Sequence, residues 1–425
     1  MRKLMGHVVP LDGDRYRHWD TLRHCMPPEG LTPEEWWMAT KLGREPLLRS
    51  LPLRDPEGKP LSVALPDPAL EMLMRVDQQA SGRIQAPDAV TNPATRDRYL
   101  VNSLMEEAIR SSQLEGAATT RKAAKEMLRS GRSPRDRSER MILNNYLAMQ
   151  FVREHVTEPL TPELVLQLHR IVTDGTLEDP ADAGRLQRPG EERIKIWWDG
   201  ELVYEPPPAE QLEERLRLLC DFANGGAIDG FLHPVARAVL VHFWLAYDHP
   251  FVDGNGRTAR ALFYWAMLSQ GYWLAEFLPI SNIIRQAPAR YAKSFLYVET
   301  DEGDTTYFLL SQLRILCRAI DELHAYLGRK TRQVQEVEVL LRRSPGFNHR
   351  QIALLSHALR DAGAQYTFAT HQRSHGVVYQ SARTDLLDLA ERGLLQQTKR
   401  GRAYVFFPAA DLERRLKALS GAESS

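Results

Sequence analysis

The chain has 425 residues, which is long enough for two or three domains that each bury a core of their own. With 43% hydrophobic and 26% charged residues, its composition is that of a globular protein and excludes the disordered, fibrous and membrane classes. Lysine plus arginine equal aspartate plus glutamate at 55 each, so the chain as a whole has no net charge to attract a charged partner. Nucleic acid or an anionic membrane would have to be bound by a local patch of positive charge.

The cysteines and the amino-terminal segment bear on the cellular compartment. Cys25, Cys220 and Cys317 lie far apart and form no CxxC pair, so the sequence indicates neither a disulfide framework nor a zinc site. The segment MRKLMGHVVPLDGDRYRHWD becomes polar too early for a signal peptide, and no stretch approaches the ~20 apolar residues of a membrane-spanning helix. We therefore expect a cytoplasmic protein that does not contact a membrane.

Two polar segments rich in turn-forming residues divide the chain into three predicted regions. SGRIQAPDAVTNPATRDR precedes Tyr99, and LRRSPGF ends at Phe347. They predict an N-terminal accessory region over residues 1–94, a helical domain over residues 95–329 and a C-terminal domain over residues 330–425. The first region contains proline-rich segments such as MPPEGLTPEEWW, and we expect it to be irregular.

Apolar residues in the middle region recur at the helical spacing of i, i+3, i+4 and i+7. This spacing predicts a mainly α fold in the form of a helical bundle. The segments that follow it are YLVNSLMEEAIRSSQLEG, RMILNNYLAMQFVREHV, TPELVLQLHRIVTDG, PAEQLEERLRLLCDFANG, PVARAVLVHFWLAYDH, TARALFYWAMLSQG and TYFLLSQLRILCRAIDELHAYL.

One segment of the middle region departs from the helical pattern. RIKIWW, then Asp199-Gly200, then ELVYEPPP has the pattern of two short strands about a DG turn, and three prolines end the second strand. We therefore predict a β-hairpin that interrupts the bundle.

The C-terminal region has a third pattern. Three helical segments, HRQIALLSHALRDAG, THQRSHGV and SARTDLLDLAERGLL, precede a strand, a basic turn and a strand in LQQTKRGRAYVFFP, which predicts a winged helix-turn-helix. Its basic residues stand where a DNA-binding surface needs them; they are Arg373, His375, Arg383, Lys399, Arg400 and Arg402. Winged modules also bind proteins or dimerise, and the same residues can form an ordinary solvated surface.

The segment with the pattern of an active site is HPFVDGNGRTAR, residues 249–260, which stands between two helical patterns. Gly254, Asn255 and Gly256, which we call the anion loop, tolerate left-handed backbone, so their amides can converge on an anion at the start of the next helix. Arg257 and Arg260 are three residues apart and share one helix face, which suits a polyphosphate.

Two titratable residues precede the anion loop. Asp253 is placed to hold a hard divalent cation such as Mg²⁺. His249 is the natural general base, because only an imidazole changes protonation readily near neutral pH. Each feature alone is more often structural, since histidines cap helices, DGNG runs form turns and arginine pairs face solvent. Their co-occurrence in twelve residues favours a phosphate-binding active site.

The string HPFVDGNGRTAR matches the HPFx[D/E]GNGRxxR motif of Fic-domain proteins at every specified position, and the chain resembles that family. The resemblance implies transfer of AMP from Mg-ATP to a Ser, Thr or Tyr hydroxyl of a protein target, including this protein itself, with release of pyrophosphate. It further implies that His249 deprotonates the hydroxyl and that Asp253 binds Mg²⁺ or Mn²⁺. The anion loop with Asn255 would cradle the phosphates, and Arg257 and Arg260 would hold the distal ones.

The resemblance extends over roughly residues 95–329. AGRLQR, residues 183–188, resembles the family's AGxxR segment, and the predicted hairpin resembles its target-docking flap. Ile194, Lys195 and Ile196 lie at the start of this flap, where an open strand edge can pair with an extended target segment.

The segment near the adenosine departs from the family pattern. Many relatives carry an Asn followed by paired Tyr residues here, whereas this chain has Ala287 at the Asn position and keeps only Tyr291 of the pair. The resemblance therefore assigns Tyr291 to the ATP site.

A second string, SSQLEG at residues 111–116, matches the family's inhibitory motif [S/T]xxxE[G/N], in the class whose inhibitory helix precedes the domain. Ser111 and Glu115 are four residues apart and share a helix face, and Gly116 permits the helix to end. The resemblance implies that Glu115 pairs with Arg260, so that ATP binds badly or in a geometry unfit for attack. Taken alone, SxxxEG is a short pattern that many helices contain.

Three other functions remain open at this point. The protein could remove AMP from a modified target, with Glu115 positioning water. It could instead transfer another phosphate-containing group, or be a DNA-binding regulator that acts through the winged-helix tail. In any of these cases it could form a homodimer. A metal site formed by His233, His242 and His249 is disfavoured, because spacings of nine and seven do not put all three on one helix face.

Overall fold

The computed structural model describes residues 2–80, 93–198, 201–343, 346–360, 363–400 and 403–421. The chain forms two compact units, one of Met1–Ala86 and Leu100–Glu322 and the other of Pro87–Tyr99 and Leu323–Ser425. In the described residues helices dominate, and strands occur only as two-stranded antiparallel sheets. The prediction of a mainly α protein is confirmed.

Most of the helices belong to the first unit. Those up to Thr173 are α1 (Arg2–Met5), α2 (Trp19–Leu22), α3 (Pro33–Arg44), α4 (Asp67–Ala80), α5 (Pro93–Leu114), α6 (Arg121–Ser130), α7 (Arg137–Glu154) and α8 (Pro162–Thr173). Those that follow are α9 (Leu212–Ala223), α10 (Pro234–Asp248), α11 (Asn255–Ser269), α12 (Ile280–Gln286), α13 (Pro288–Glu299) and α14 (Thr306–Arg343). Short 3₁₀ turns are Glu45–Leu47, Pro180–Asp182, Ala209–Gln211 and Trp273–Phe277.

The amino-terminal region is more regular than the sequence analysis predicted. Thr32 and Glu35 form a reciprocal capping box, and Pro33 occupies the first turn, so α3 begins with a strong start signal. Strands β1 (Arg49–Arg54) and β2 (Pro60–Val63) then pair antiparallel. The proline-rich composition obscured these elements, although the string TPEE carries the capping signal.

The centre of the first unit is formed by α10 and α11, which pack against each other. Nearly every side chain of both helices is buried, as expected for helices that are covered on all sides. Helices α7 and α8 pack on α11, and α9 packs on α10. Helix α10 stops at Asp248 because Pro250 disfavours a helical backbone at the residue before it. The predicted motif therefore occupies the turn between the two central helices.

The carboxyl half of α5 is fixed against α6 and α7 by a small apolar cluster of Ile109, Ala124, Met127 and Ile142. Polar bonds add to this cluster, since Ser112 Oγ donates to the Met141 carbonyl at 3.1 Å. The helix end that carries SSQLEG is thus held in a defined position.

The predicted hairpin is present as β3 (Ile196–Trp198) and β4 (Glu201–Tyr204), which pair antiparallel with Ile196 opposite Tyr204. The predicted turn at Asp199-Gly200 lies outside the described residues.

The second unit contains the carboxyl-terminal elements. They are α15 (His349–Arg360), α16 (Phe368–His375), α17 (Tyr379–Glu391), β5 (Leu395–Arg400), β6 (Ala403–Pro408) and α18 (Leu412–Gly421). These elements share a core of their own, formed by leucines of the helices with Phe368 and Phe406. Arg402, predicted to lie in the wing, is outside the described residues. Within the described residues, no helix is both long and apolar enough to cross a membrane.

Candidate active site

His249 lies at the junction between α10 and the motif loop. Its backbone is left-handed, with φ 45°, and its N–H donates to the Leu245 carbonyl at 3.1 Å. The side chain is half-buried. Burial and the positive charge of Arg193 lower the pKa of His249 below its usual value. The imidazole is therefore neutral near pH 7, which is the form that accepts a proton.

Arg193 holds the backbone at His249. Its Nη1 donates to the His249 carbonyl at 3.0 Å, and its Nη2 donates to the Asp248 carbonyl at 2.6 Å. Its Nε donates to the Pro207 carbonyl at 3.1 Å, so Arg193 ties the segments before β3 and after β4 to the end of α10. Arg193 also donates to Oε1 of Gln187, but its other partners are backbone carbonyls, which leave no signal in the residue types from which the sequence could have predicted its role.

The loop is closed by Asn255. Its Oδ1 accepts from the Phe251 N–H at 2.9 Å and its Nδ2 donates to the Phe251 carbonyl at 2.7 Å. Both Oδ1 and one donor of Nδ2 are therefore used within the loop. Gly254 has φ 88°, and a Cβ there would lie 2.7 Å from Cγ2 of Thr173. Both conformation and space therefore require glycine.

The start of α11 has unused hydrogen-bond donors. Its first amides receive no capping side chain, and they lie at the positive end of the helix dipole. Arg257 is fully buried, and its Nη1 donates to the Val172 carbonyl at 2.9 Å. Its Nε and Nη2 have no hydrogen-bond partner in the described part of the chain, and Oδ1 of Asp253 lies 3.6 Å from Nη2. A buried guanidinium with unused donors is costly unless an anion binds it.

Arg260 is held by the carboxyl half of α5. Its Nε donates to Ser111 Oγ at 2.8 Å and its Nη2 donates to the Ser111 carbonyl at 3.1 Å. Nη2 also donates to Glu115 Oε1 at 2.8 Å. The structure therefore brings Ser111, Glu115 and Arg260 together, as the two motifs predicted.

The carboxylate of Glu115 lies against the anion loop itself. A Cβ at Gly256 would overlap Oε1 of Glu115, so nothing separates this oxygen from the backbone of the loop. The side chain of Glu115 is 30% exposed, whereas that of Arg260 is 3% exposed. Gly116 follows with φ 90°, the left-handed conformation expected at the helix end.

Asp253 stands at the outer edge of the loop with its side chain 41% exposed. Its Oδ1 accepts from the Gly254 N–H at 2.5 Å, and its Oδ2 accepts from Arg137 Nη2 at 3.2 Å. Across the described ranges, no group of three or more His, Cys, Asp or Glu residues could hold a metal ion. Asp253 is therefore a single hard oxygen donor, which suits a cation whose remaining ligands are phosphate oxygens and water.

His169 fixes the loop from α8, a role that its sequence context does not predict. Its ring stacks on Phe251 with centroids 3.7 Å apart, and burial lowers its pKa to about 4. Nδ1 accepts from the Gly184 N–H at 3.0 Å, so the neutral ring carries its proton on Nε2 and donates to the Asp253 carbonyl at 2.8 Å. The predicted AGxxR segment is thereby joined to the motif loop.

Tyr291 lines a cavity of about 350 Å³ between α12, α13 and α14. Ala287, which replaces the expected Asn, lines the same cavity. The Tyr291 hydroxyl is 2.9 Å from Nε2 of His242, whose pKa burial lowers to about 3. His233 instead caps α10 and contacts Asp77 at 3.0 Å. Each histidine thus has a side-chain partner, although Nδ1 of His242 is buried and lacks a hydrogen-bond partner in the described residues.

The flap residues lie beside the hairpin. The side chain of Ile194 is exposed, and Lys195 Nζ lies 3.3 Å from Glu205 Oε1. Ile196 begins β3, whose partner strand in the described residues is β4 alone, so the other edge of β3 is open for pairing.

Comparison with known proteins identifies this region. Residues 159–267 match the model of the Fic/DOC family. The chain contains a Fic domain. The Fic domain runs from just before α8 nearly to the end of α11, and it includes His249 and the anion loop.

The chain is also similar to curated relatives named Protein adenylyltransferase Fic. It is 27% identical to the one from Drosophila grimshawi over 47% of this chain and 40% of the relative. It is 26% identical to the one from Nematostella vectensis over 61% of this chain and 57% of the relative. The chain thus spans about half the length of these relatives.

A solved structure supports the fold. The chain is similar to a Fic family protein from Desulfovibrio desulfuricans G20, with a TM-score of 0.52, over 80% of this chain and 95% of that one. The two are 17% identical, so the likeness bears on the fold alone.

Proposed function

We propose that the protein is an adenylyltransferase that transfers AMP from ATP to a Ser, Thr or Tyr hydroxyl of a protein. The observation that carries this proposal is the buried Arg257, whose Nε and Nη2 lack hydrogen-bond partners in the described residues beside the uncapped start of α11. A polyphosphate supplies the missing acceptors. The similarity to relatives named Protein adenylyltransferase Fic selects the nucleotide and the transferred group.

In this proposal His249 is the general base. Its neutral imidazole takes the proton of the target hydroxyl, and the hydroxyl oxygen then bonds to the α-phosphorus while the bond to pyrophosphate breaks. Arg193 acts on this step as a positioning residue, because it fixes the backbone carbonyls of Asp248 and His249. The lowered pKa of His249 keeps the base ready near neutral pH.

The amides of the anion loop and Arg257 would bind the phosphates, and Asp253 would hold Mg²⁺ or Mn²⁺. A bound divalent cation would neutralise phosphate charge. Asp253 is suited to it as an exposed carboxylate at the rim of the loop. Tyr291 and the cavity it lines are our candidate for part of the adenosine site.

The described conformation is autoinhibited in this proposal. Glu115 holds Arg260 at 2.8 Å and covers the backbone at Gly256. A carboxylate there repels the phosphates and withholds one of the two arginines that would bind them. Ser111 strengthens the hold, since it accepts from Nε of the same arginine.

The open edge of β3 would align the protein target. An extended segment that pairs with it would be held by main-chain hydrogen bonds, which require no particular sequence in the target. Ile194 and Lys195 lie at the approach to this edge.

Labelled ATP tests the proposal. The full chain and its Glu115→Gly variant are incubated with cell lysate and ATP labelled at either the α- or the γ-phosphate. Transfer of AMP leaves the α label, and not the γ label, on protein, and mass spectrometry identifies the modified hydroxyl. Retention of the γ label would indicate phosphoryl transfer instead. Loss of AMP from premodified protein, requiring Glu115, would indicate that the enzyme removes AMP.

A further inference from the structure

The second unit has a surface that the proposed AMP transfer does not use. Helices α15, α16 and α17 and the hairpin β5–β6 follow one another in the order of a winged helix-turn-helix. Helix α17 packs against α16 and against β5. In that order α17 is the helix that enters the DNA groove and the hairpin is the wing.

Contacts of Phe368 bring the start of α17 and the hairpin together. Its ring lies 5.7 Å from that of Tyr379, the first residue of α17, and 6.3 Å from that of Tyr404 on β6. Both tyrosines remain partly outside the core, with 52% and 42% of their surface exposed. They therefore mark one continuous surface, which we call the Tyr379 surface.

Two cations extend the Tyr379 surface. Arg383 lies one helical turn after Tyr379 on the same side of α17, and its side chain is exposed. Lys399 is the cross-strand partner of Tyr404, so its exposed side chain lies on the same face of the hairpin. In the described residues neither cation forms an ion pair.

The sequence around this surface lacks carboxylates. Residues 366–384 and 392–410 contain no Asp or Glu. Of the three acids between these runs, Asp385 is buried and binds Arg350 at 2.7 Å, and Asp388 binds Arg392 at 2.9 Å. The third, Glu391, is exposed but lies at the opposite end of α17 from Tyr379. The positive charge of the Tyr379 surface is therefore not balanced locally, although the whole chain carries no net charge.

The start of α17 also offers free donors. Val378 precedes it without a capping side chain, and 67% of Val378 is exposed. Uncapped amides at a helix start are suited to a phosphate group. Behind them, Gln380 and Thr384 are exposed, and amide and hydroxyl side chains are those that contact base edges.

We infer that the Tyr379 surface binds duplex DNA, with α17 in the major groove and Lys399 on the backbone beside it. The charge of the Tyr379 surface favours DNA over a second protein as its partner. An interface for a second protein is depleted in charge at its core, whereas this surface combines unpaired cations, free amides and tyrosines around a helix of ~20 Å. DNA binding would be a function additional to nucleotide transfer, and it does not depend on the Fic domain being active.

The test uses the full chain and a fluorescein-labelled duplex, with anisotropy measured over a series of salt concentrations. We expect binding at low salt that weakens steeply as salt rises. Arg383→Ala and Lys399→Ala should each weaken binding, and each should lower the log–log salt slope by about 1 for every DNA phosphate that the removed cation neutralised. Single-stranded DNA and duplex RNA of the same sequence serve as competing probes.

Arg414→Ala is the matched control, because Arg414 is 83% exposed on α18 and pairs with Asp411 outside the Tyr379 surface. It should leave the affinity unchanged. Thermal unfolding of each variant verifies that the fold is kept. The inference is overturned if wild-type protein does not bind duplex DNA at low salt, if the Arg383→Ala/Lys399→Ala double variant binds as wild type does, or if duplex RNA binds as tightly.

Discussion

Nη2 of Arg260 and Oε1 of Glu115 are 2.8 Å apart, although 145 positions separate the two residues in the chain. The pair is desolvated on the arginine side, and Ser111 accepts from the same guanidinium. Arg260 is thereby held on α5. Because Glu115 also covers Gly256, one side chain removes both a cation and a surface from the proposed nucleotide site.

Glu115→Gly should therefore raise AMP transfer, including self-modification. The variant removes the charge and uncovers Gly256, so Arg260 can turn to the phosphates. A tenfold increase requires only about 1.4 kcal/mol of better positioning in the transition state. Initial rates of label incorporation from α-labelled ATP measure it. Adding Arg260→Ala to Glu115→Gly should lower the rate again, because it removes the cation that the first change released.

Two companion variants separate charge from shape at this site. Glu115→Gln keeps the size of the side chain and should give a smaller increase than glycine. Glu126→Gln removes an exposed carboxylate from the neighbouring α6 and should change nothing. Equal rates for wild type and Glu115→Gly, in both AMP addition and AMP removal, would reduce SSQLEG to an ordinary helix end.

His249→Ala should lower transfer by about 10²–10⁴-fold, the range that a general base contributes. ATP affinity should stay near that of the parent protein, because the phosphates are assigned to the anion loop and Arg257. Single-turnover labelling and calorimetric titration with ATP, both in the Glu115→Gly background, measure the two quantities separately. Unreduced labelling by the alanine variant would exclude His249 as the base.

The local part of this site was readable from the sequence. His249, Asp253, Gly254 and Arg257 lie within nine residues, and a turn between two helices brings such neighbours together without help from the rest of the fold. The pairing of Glu115 with Arg260 was also predicted, but from two motifs known to occur together. Spacing alone contains no information on a contact across 145 positions.

Residues that support the site from a distance were not readable. His169 binds the carbonyl of Asp253, 84 positions away, and Arg193 binds carbonyls 55 and 56 positions away. Backbone carbonyls are the same at every residue, so such bonds leave no complementary side chain to find. Arg137 has a side-chain partner in Asp253, but an exposed arginine at a helix start has no distinguishing pattern.

Arg137 should compete with the divalent cation at Asp253. Its Nη2 is bonded to Oδ2 of the carboxylate, so a cation must displace it. Arg137→Ala should lower the Mg²⁺ concentration that half-saturates ATP binding by about 1.4- to fivefold, the effect of an exposed ion pair worth about 0.2–1 kcal/mol. Titration of ATP binding with Mg²⁺ measures this concentration. Asp253→Ala should abolish the metal dependence, and a metal requirement that survives it would place the cation elsewhere.

The pH dependence of transfer should separate the two effects of Arg193 on His249. Its charge lowers the pKa of the imidazole, and its two donors hold the carbonyls of Asp248 and His249. A base must be deprotonated to act, so the rate falls on the acid side as pH drops through the pKa of His249. Arg193→Gln removes the charge, so the pKa rises toward its ordinary value and the acid limb of kcat/KM moves to higher pH.

Arg193→Lys keeps the charge but cannot bond both carbonyls with one planar fork. The lysine variant should lower kcat at every pH. Its acid limb should lie closer to that of the Glu115→Gly parent than the acid limb of Arg193→Gln does. The pH profiles are recorded in the Glu115→Gly background, where turnover should be measurable. Because Glu115 raises the pKa of His249, the Glu115→Gly protein should itself show an acid limb at lower pH than the wild type. An acid limb that does not move in Arg193→Gln would mean that a group other than His249 controls the rate.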